Sequence, residues 1–299
     1  MFWEPIRQRI KSARHIYISP DGVYSQINLN VLRNPRTGKY LIDETDILYV
    51  TNTSDLLIER NNESRQTAIL FGRPSYSATI TSSATENFRS FQNAELMSLK
   101  EQTFADLPGT EQEILTAEST LGKAGWEVIR YSGDQATEQN LKAVKNPAIL
   151  HIATHGFFIG DTTGVINPMI RSGLLLAGVS NKNVVQEQDG ILTAYEAALL
   201  NLQKTDLVVL SACETGLGEV RNGEGVYGLQ RAMISAGTRN LLMSLWKVDD
   251  MATNELMSAF YQGWTPPTNV HDAFRKAQME VRKKYAHPFY WGAFILLGN

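Results

Sequence analysis

Six stretches of this chain are apolar almost without interruption: "TAILFG" at 67–72, "WEVIRY" at 126–131, "AILHIAT" at 148–154, "GLLLAG" at 173–178, "DLVVLSA" at 206–212 and "NLLMSLW" at 240–246. Strands that face water on one side alternate apolar and polar residues, whereas strands covered on both faces do not. Between them lie segments with helical period: "TEQEILTAESTLGKAG" from Thr110, "TEQNLKAV" from Thr137, "TAYEAALLNL" from Thr193, "GEGVYGLQRAMISAG", "DDMATNELMSAFYQGW" and "NVHDAFRKAQMEVRKKY". Val226, Leu229 and Met233 fall on one face of the fourth. The alternation predicts an α/β fold with a mostly parallel sheet and helices on both faces.

The ends of these segments carry local signals. Thr110 and Glu113 have the spacing of a capping box, and Gly122 and Gly125 follow as stop signals. The first 65 residues read differently, as strands and turns: "HIYISPDGVYSQINL" looks like a hairpin about Pro20-Asp21-Gly22, followed by strands in "YLIDETDILYV" and "DLLIER". A small β-rich region at 1–65 is therefore expected before an α/β domain at 66–299. The Ser/Thr-rich "RPSYSATITSSATENFRS" has no period and reads as a loop.

Composition narrows the classes of function. Of 299 residues 43% are hydrophobic and 20% charged, and no apolar run approaches the roughly 20 residues of a membrane span. The N-terminal segment lacks the unbroken apolar core of a secretory signal, so a cytoplasmic protein without membrane contact is expected. A net charge of −3 and the absence of a basic stripe beyond "RKAQMEVRKKY" argue against nucleic acid as partner. One cysteine excludes an internal disulfide and an all-cysteine metal site.

That cysteine, Cys213, follows "DLVVLSA", and His155 follows "AILHIAT" 58 positions earlier. In a parallel sheet both would lie at the carboxyl edge, where reacting groups collect. A lone cysteine is ordinarily a small buried hydrophobe. A thiol beside an imidazole is instead a nucleophile with its base. Gly156, and the small residues around Cys213, would let the backbone turn and aim the Gly156 and Cys213 N–H groups at a developing oxyanion. His151 reads as a packed histidine pointing into a helix layer, with His155 beyond the strand end. His151 and His155, set on opposite sides of the strand, fall short of the three ligands a catalytic metal needs, so no metal and no cofactor is assigned. Glu214 reads as a solvated or structural acid, and the glycines of 216–225 as a mobile loop rather than a phosphate loop, since no Gly-Lys-Ser/Thr follows. The flanks of Cys213 and the His-before-Cys order disfavour an α/β-hydrolase.

The run "LVVLSACETGLGEVRNGEGVYGLQRAMISAGTRNLLMSLWKVDDMAT", with "ILHIATHGFF", "SGLLLAG", "DGILTAYEAALLNL" and "HPFYWGAFILLG", resembles the CHAT family, bacterial caspase- and separase-like domains often fused to tetratricopeptide repeats. The resemblance implies a caspase-like fold and a cysteine endopeptidase with His155 as general acid/base, Cys213 as nucleophile, and Gly156 at the oxyanion hole. "SLWKVDD" is similar to a separase segment beside an arginine-accepting pocket. That likeness implies that Asp249 and Asp250 select a basic side chain, with Asp250 at the last acidic place. The alternative for both aspartates is capping of the next helix. A basic preference would make Arg171 and Arg221 candidate self-cleavage points, and loops at 157–190 and 216–225 would be ordered by a protein substrate, a regulatory protein or a repeat domain. The competing reading is a catalytically silent interaction module.

Overall fold

A computed structural model describes residues 3–10, 13–20, 24, 27–57, 66–78, 94–159, 169–181, 189–214, 224–246, 249–264 and 268–298; for residues 55, 94, 95, 97, 213, 214 and 224–227 it describes the backbone alone. The strands are β1 (His15–Ile18), β2 (Asp46–Tyr49), β3 (Thr67–Pro74), β4 (Glu127–Gly133), β5 (Ile149–Phe158), β6 (Ser172–Leu175), β7 (Ile191–Thr193), β8 (Leu207–Glu214), β9 (Asn240–Ser244) and β10 (Phe294–Gly298). The helices are α1 (Glu4–Ile10), α2 (Leu41–Glu44), α3 (Ala94–Lys100), α4 (Pro108–Lys123), α5 (Glu138–Lys142), α6 (Ala194–Ala197), α7 (Glu224–Ser235), α8 (Asp250–Gly263), α9 (Val270–Lys284) and α10 (Pro288–Trp291).

One sheet runs through the molecule in the order β1-β2-β10-β9-β8-β5-β3-β4, with β6 and β7 attached to the far end of β5. From β9 to β4 every neighbouring pair is parallel. β10 is antiparallel to β9, and β1 and β2 lie parallel to β10 beyond it. The sheet is thus mostly parallel, as the apolar runs imply.

Alternation along each strand feeds two cores. Leu150 and Ile152 of β5 with Val208 and Leu210 of β8 pack against α5, α6 and α7. Ile149 and Ala153 with Leu207 and Val209 pack against α4, α8 and α9 on the opposite face. Both faces of the central strands are covered, which is the physical reason for their unbroken hydrophobicity.

Several local expectations give way to tertiary context. β1 finds its partner in β2, in parallel, not in a hairpin with the following run, whose described part ends in a 3₁₀ turn at Leu29–Val31; residues 21 and 22 lie outside the described residues. "YLIDETDILYV" opens as the helical turn α2, because the Asp43 carboxylate accepts the Tyr40 amide at 3.0 Å and caps it, and only then becomes β2. "DLLIER" begins as a 3₁₀ helix, Thr53–Leu57, and its remainder lies outside the described residues. Helix α4 starts at Pro108, two residues before Thr110. Proline fits the first turn, where no amide donor is needed. The capping box at Thr110 and Glu113 is therefore absent. Thr110 Oγ1 donates to the Leu107 carbonyl instead, and Glu113 is turned into the core. The helix expected from Thr193 is a single turn, α6, though Thr193 and Glu196 do cap it reciprocally. Most of the Ser/Thr-rich loop, its residues 79–90, lies outside the described residues.

Candidate active site

The carboxyl ends of β3, β5, β8 and β9 share one edge of the sheet. There β5 and β8 run in register through Ile152↔Leu210, Ala153↔Ser211, Thr154↔Ala212, His155↔Cys213 and Gly156↔Glu214. His155 and Cys213 are thus direct neighbours across two parallel strands, although 58 residues separate them in the chain. Pairing of β8 with β9 stops at Leu210↔Met243, so the described ladder beyond Leu210 continues on the β5 side alone.

Three sequence expectations need correction here. His155 does not lie past the end of its strand, and Gly156 does not make a sharp turn. β5 continues to Phe158 because β6 takes over where β3 ends, pairing Gly156↔Leu174, Phe157↔Gly173 and Phe158↔Ser172. With a strand period of two, His151, Ala153 and His155 then occupy the same face, not opposite ones.

His155 is buried, and its ring nitrogen Nε2 lies 2.8 Å from the carbonyl oxygen of Ala105, in the segment leading into α4. A carbonyl only accepts, so in the neutral ring Nε2 carries the proton and Nδ1 is the basic nitrogen. Tyr76 and Phe104 flank the ring, with centroids 5.1 and 6.1 Å away. Tyr76 Oη accepts the His155 amide at 3.4 Å and shares a hydrogen bond with Thr154 Oγ1 at 3.0 Å. Burial pushes the Tyr76 phenol up to about 12, against the opposing effect of those two bonds, so the hydroxyl stays protonated. No sequence signal marks Ala105, since any residue type supplies a carbonyl. Tyr76 sits in a stretch whose composition reads as loop.

Beneath this edge lies a closed polar cluster. Glu113 Oε1 lies 3.0 Å from His151 Nε2, Ser211 Oγ donates to Glu113 Oε2 at 2.9 Å, and His151 Nδ1 lies 2.9 Å from Tyr261 Oη. All four residues are buried. Burial, and then the nearby Glu113 carboxylate, hold the Tyr261 phenol well above its ordinary range, so it donates to His151 Nδ1. His151 accordingly donates through Nε2 to Glu113. His151 does point into the helix layer, where α4 and α8 receive it.

Asp249 is the N-cap of α8, its Oδ1 accepting the Ala252 amide at 2.9 Å. Asp250 is exposed, and its carboxyl group packs against Gly109 in the first turn of α4, where the helix dipole favours negative charge. Arg171 is buried, with Phe158 under its guanidinium, and its carbonyl accepts the Ile159 amide at 2.7 Å. That burial removes it as an accessible cleavage point. Arg221, the glycines of 216–223 and the Glu214 side chain lie outside the described residues, as does much of the expected loop at 157–190.

The sequence matches the CHAT domain family over residues 1–299. This chain belongs to the CHAT domain family. Human Tetratricopeptide repeat protein 28 is 24% identical to this CHAT domain over 313 residues, covering 96% of the chain and 12% of the human protein. The mouse protein of the same name is 33% identical over 114 residues, or 36% of the chain. The CHAT domain therefore spans about an eighth of the length of the human relative. Among solved structures, the complex of Porphyromonas gingivalis RgpB pro- and mature domains aligns with 99% of this chain and 67% of its own, at a TM-score of 0.53 and 12% identity. The Arg specific cysteine proteinase gingipain R aligns with 99% and 66%, at a TM-score of 0.50 and 13% identity. Identities this low speak to fold alone, and the fold is that of caspase-like cysteine peptidases. Among the described residues no helix is long and apolar enough to cross a membrane.

Proposed function

We propose that this CHAT domain is a cysteine endopeptidase in which His155 and Cys213 form the catalytic dyad. The observation that carries the reading is the register pair His155↔Cys213 at the carboxyl edge of β5 and β8. Neighbouring strands lie about 4.8 Å apart, and residues paired in parallel register share a face of the pleat. With Nε2–H held by the Ala105 carbonyl, Nδ1 of His155 takes the proton from the Cys213 thiol. The thiolate attacks the scissile carbonyl carbon, the oxyanion is held by the Gly156 and Cys213 N–H groups, and the imidazolium returns its proton to the leaving amine. Water then takes the same path to release the acyl group.

In this reading Asp250 selects a basic side chain. It is exposed beside the head of α4, the helix that follows the Ala105 segment, whereas Asp249 is engaged as a cap. The specificity in the name of gingipain R agrees with an arginine-directed pocket. The tetratricopeptide repeat proteins among the relatives support a repeat domain as the regulating partner.

A peptidyl-arginine chloromethyl ketone tests the dyad. Wild type is expected to gain one adduct by intact mass, Cys213→Ala none, and His155→Ala to react about 10²–10⁴-fold more slowly. Equal labelling of wild type and His155→Ala would leave the silent interaction module as the better reading. Cleavage of a peptide library by Asp250→Ala is expected to lose its preference for Arg and Lys, and by Asp249→Ala to keep it.

A further inference from the structure

Glu113 touches both strands that carry the proposed dyad. Its Oε1 accepts from His151, four residues before His155 on β5, and its Oε2 accepts from Ser211, two residues before Cys213 on β8. All three side chains lie on the α4–α8 face, the face that strand alternation also gives to His155. Glu113 belongs to α4, and the segment just before α4 supplies the Ala105 carbonyl that holds His155 Nε2. Helix α4 therefore grips both strands from below, and the segment leading into it holds the imidazole from the side.

A buried carboxylate is costly unless its oxygens are fully hydrogen-bonded, and here each oxygen has a donor from a different strand. An apolar residue would pack this face without that cost. The carboxylate does what an apolar residue cannot, because its two directional bonds, one to each strand, reinforce the stagger of β5 against β8 that the backbone ladder sets. That stagger decides whether position 155 faces position 213, and a displacement of about 1 Å at a reacting pair can cost on the order of 10²-fold in rate.

We propose that Glu113 is the positioning residue of the site, a carboxylate clamp that holds His155 in place against Cys213 through His151 and Ser211. The inference rests on the dyad reading above and goes beyond it, since the dyad needs no third side chain to be chemically complete.

The test measures the pH dependence of Cys213 alkylation by iodoacetamide, which reads thiolate directly, together with kcat and KM on a fluorogenic arginyl peptide. In wild type the alkylation midpoint should lie below the ordinary thiol value of about 8.5 and rise in His155→Ala. Glu113→Gln and Ser211→Ala are each expected to raise the midpoint and to lower kcat about 10- to 100-fold with KM within about two-fold. Their combination should be no worse than Glu113→Gln alone, because both break the same clamp. Leu121→Ala, a buried position on the same helix, is the control for lost stability. It should lower the melting temperature and leave the midpoint in place. An unchanged midpoint and kcat in Ser211→Ala overturns the clamp even where Glu113→Gln fails to fold, and so does an equal shift in Leu121→Ala. A wild-type midpoint indifferent to His155 overturns the dyad, and the clamp with it.

Discussion

Glu138 is a buried carboxyl whose Oε2 accepts the Gly190 amide at 3.1 Å, with Lys142 against its other oxygen and Glu196 and Asp189 close by. Burial pushes it up to about 8; Lys142 pulls it back, and Glu196 and Asp189 push it further. Burial likewise raises Asp189, in spite of its ion pair with Lys100. Below about pH 4.5 the folded and unfolded chains both carry the Glu138 proton; above that the unfolded chain loses it first. Stability from this group is therefore complete below about 4.5 and is lost as pH rises through about 8. Glu138→Gln is expected to flatten the fall in urea midpoint between pH 5 and 8. At this scale the sequence is legible where a residue's task is local, and opaque where it is not. Thr137, Thr193 and Asp249 cap the helices they precede. Glu113 has the same local signature as a capping residue. Its partners, however, lie 38 and 98 positions away, and no window along the chain contains them.

Among the elements, α4 is seated at van der Waals contact. It lies on β3 where Gly72 leaves no room: a Cβ there would meet Ile114 Cδ1 at 2.6 Å and the Thr110 carbonyl at 2.8 Å. The isoleucine can swing aside, but the backbone carbonyl cannot. Gly72→Ala is expected to cost about 1–3 kcal/mol in chemical denaturation, in the manner of an overpacked core. Because α4 carries Glu113, the same variant should slow turnover by more than its loss of stability alone explains. Strand existence was readable here because both-face burial writes itself as unbroken apolar sequence. Strand ends were not: β5 extends to Phe158 only because β6, distant in sequence, comes to pair with it. Nor was α2, whose single turn depends on one Asp43 side chain that also binds Arg282 of α9.

For the whole molecule, the N-terminal segment is stitched to the C-terminal one. Asn28 Nδ2 donates to the carbonyls of Gly292 and Phe294, Arg275 donates to those of Ile42 and Thr45, and Arg282 pairs with Asp43. Removing residues 1–52 is expected to uncover the outer edge of β10 and to give aggregated protein, seen as a void-volume peak by size-exclusion chromatography with light scattering. The mostly parallel sheet with helices on both faces was legible at this scale; the place of β1 and β2 was not, since β2 docks on a strand near the opposite end of the chain. That seating has a consequence in time. As the domain is synthesised, β1 and β2 are made well before β10, so the pair waits without its neighbour until the far end of the domain follows. Its assembly should be slow and dependent on holding factors, closing only when β10 slots between β2 and β9.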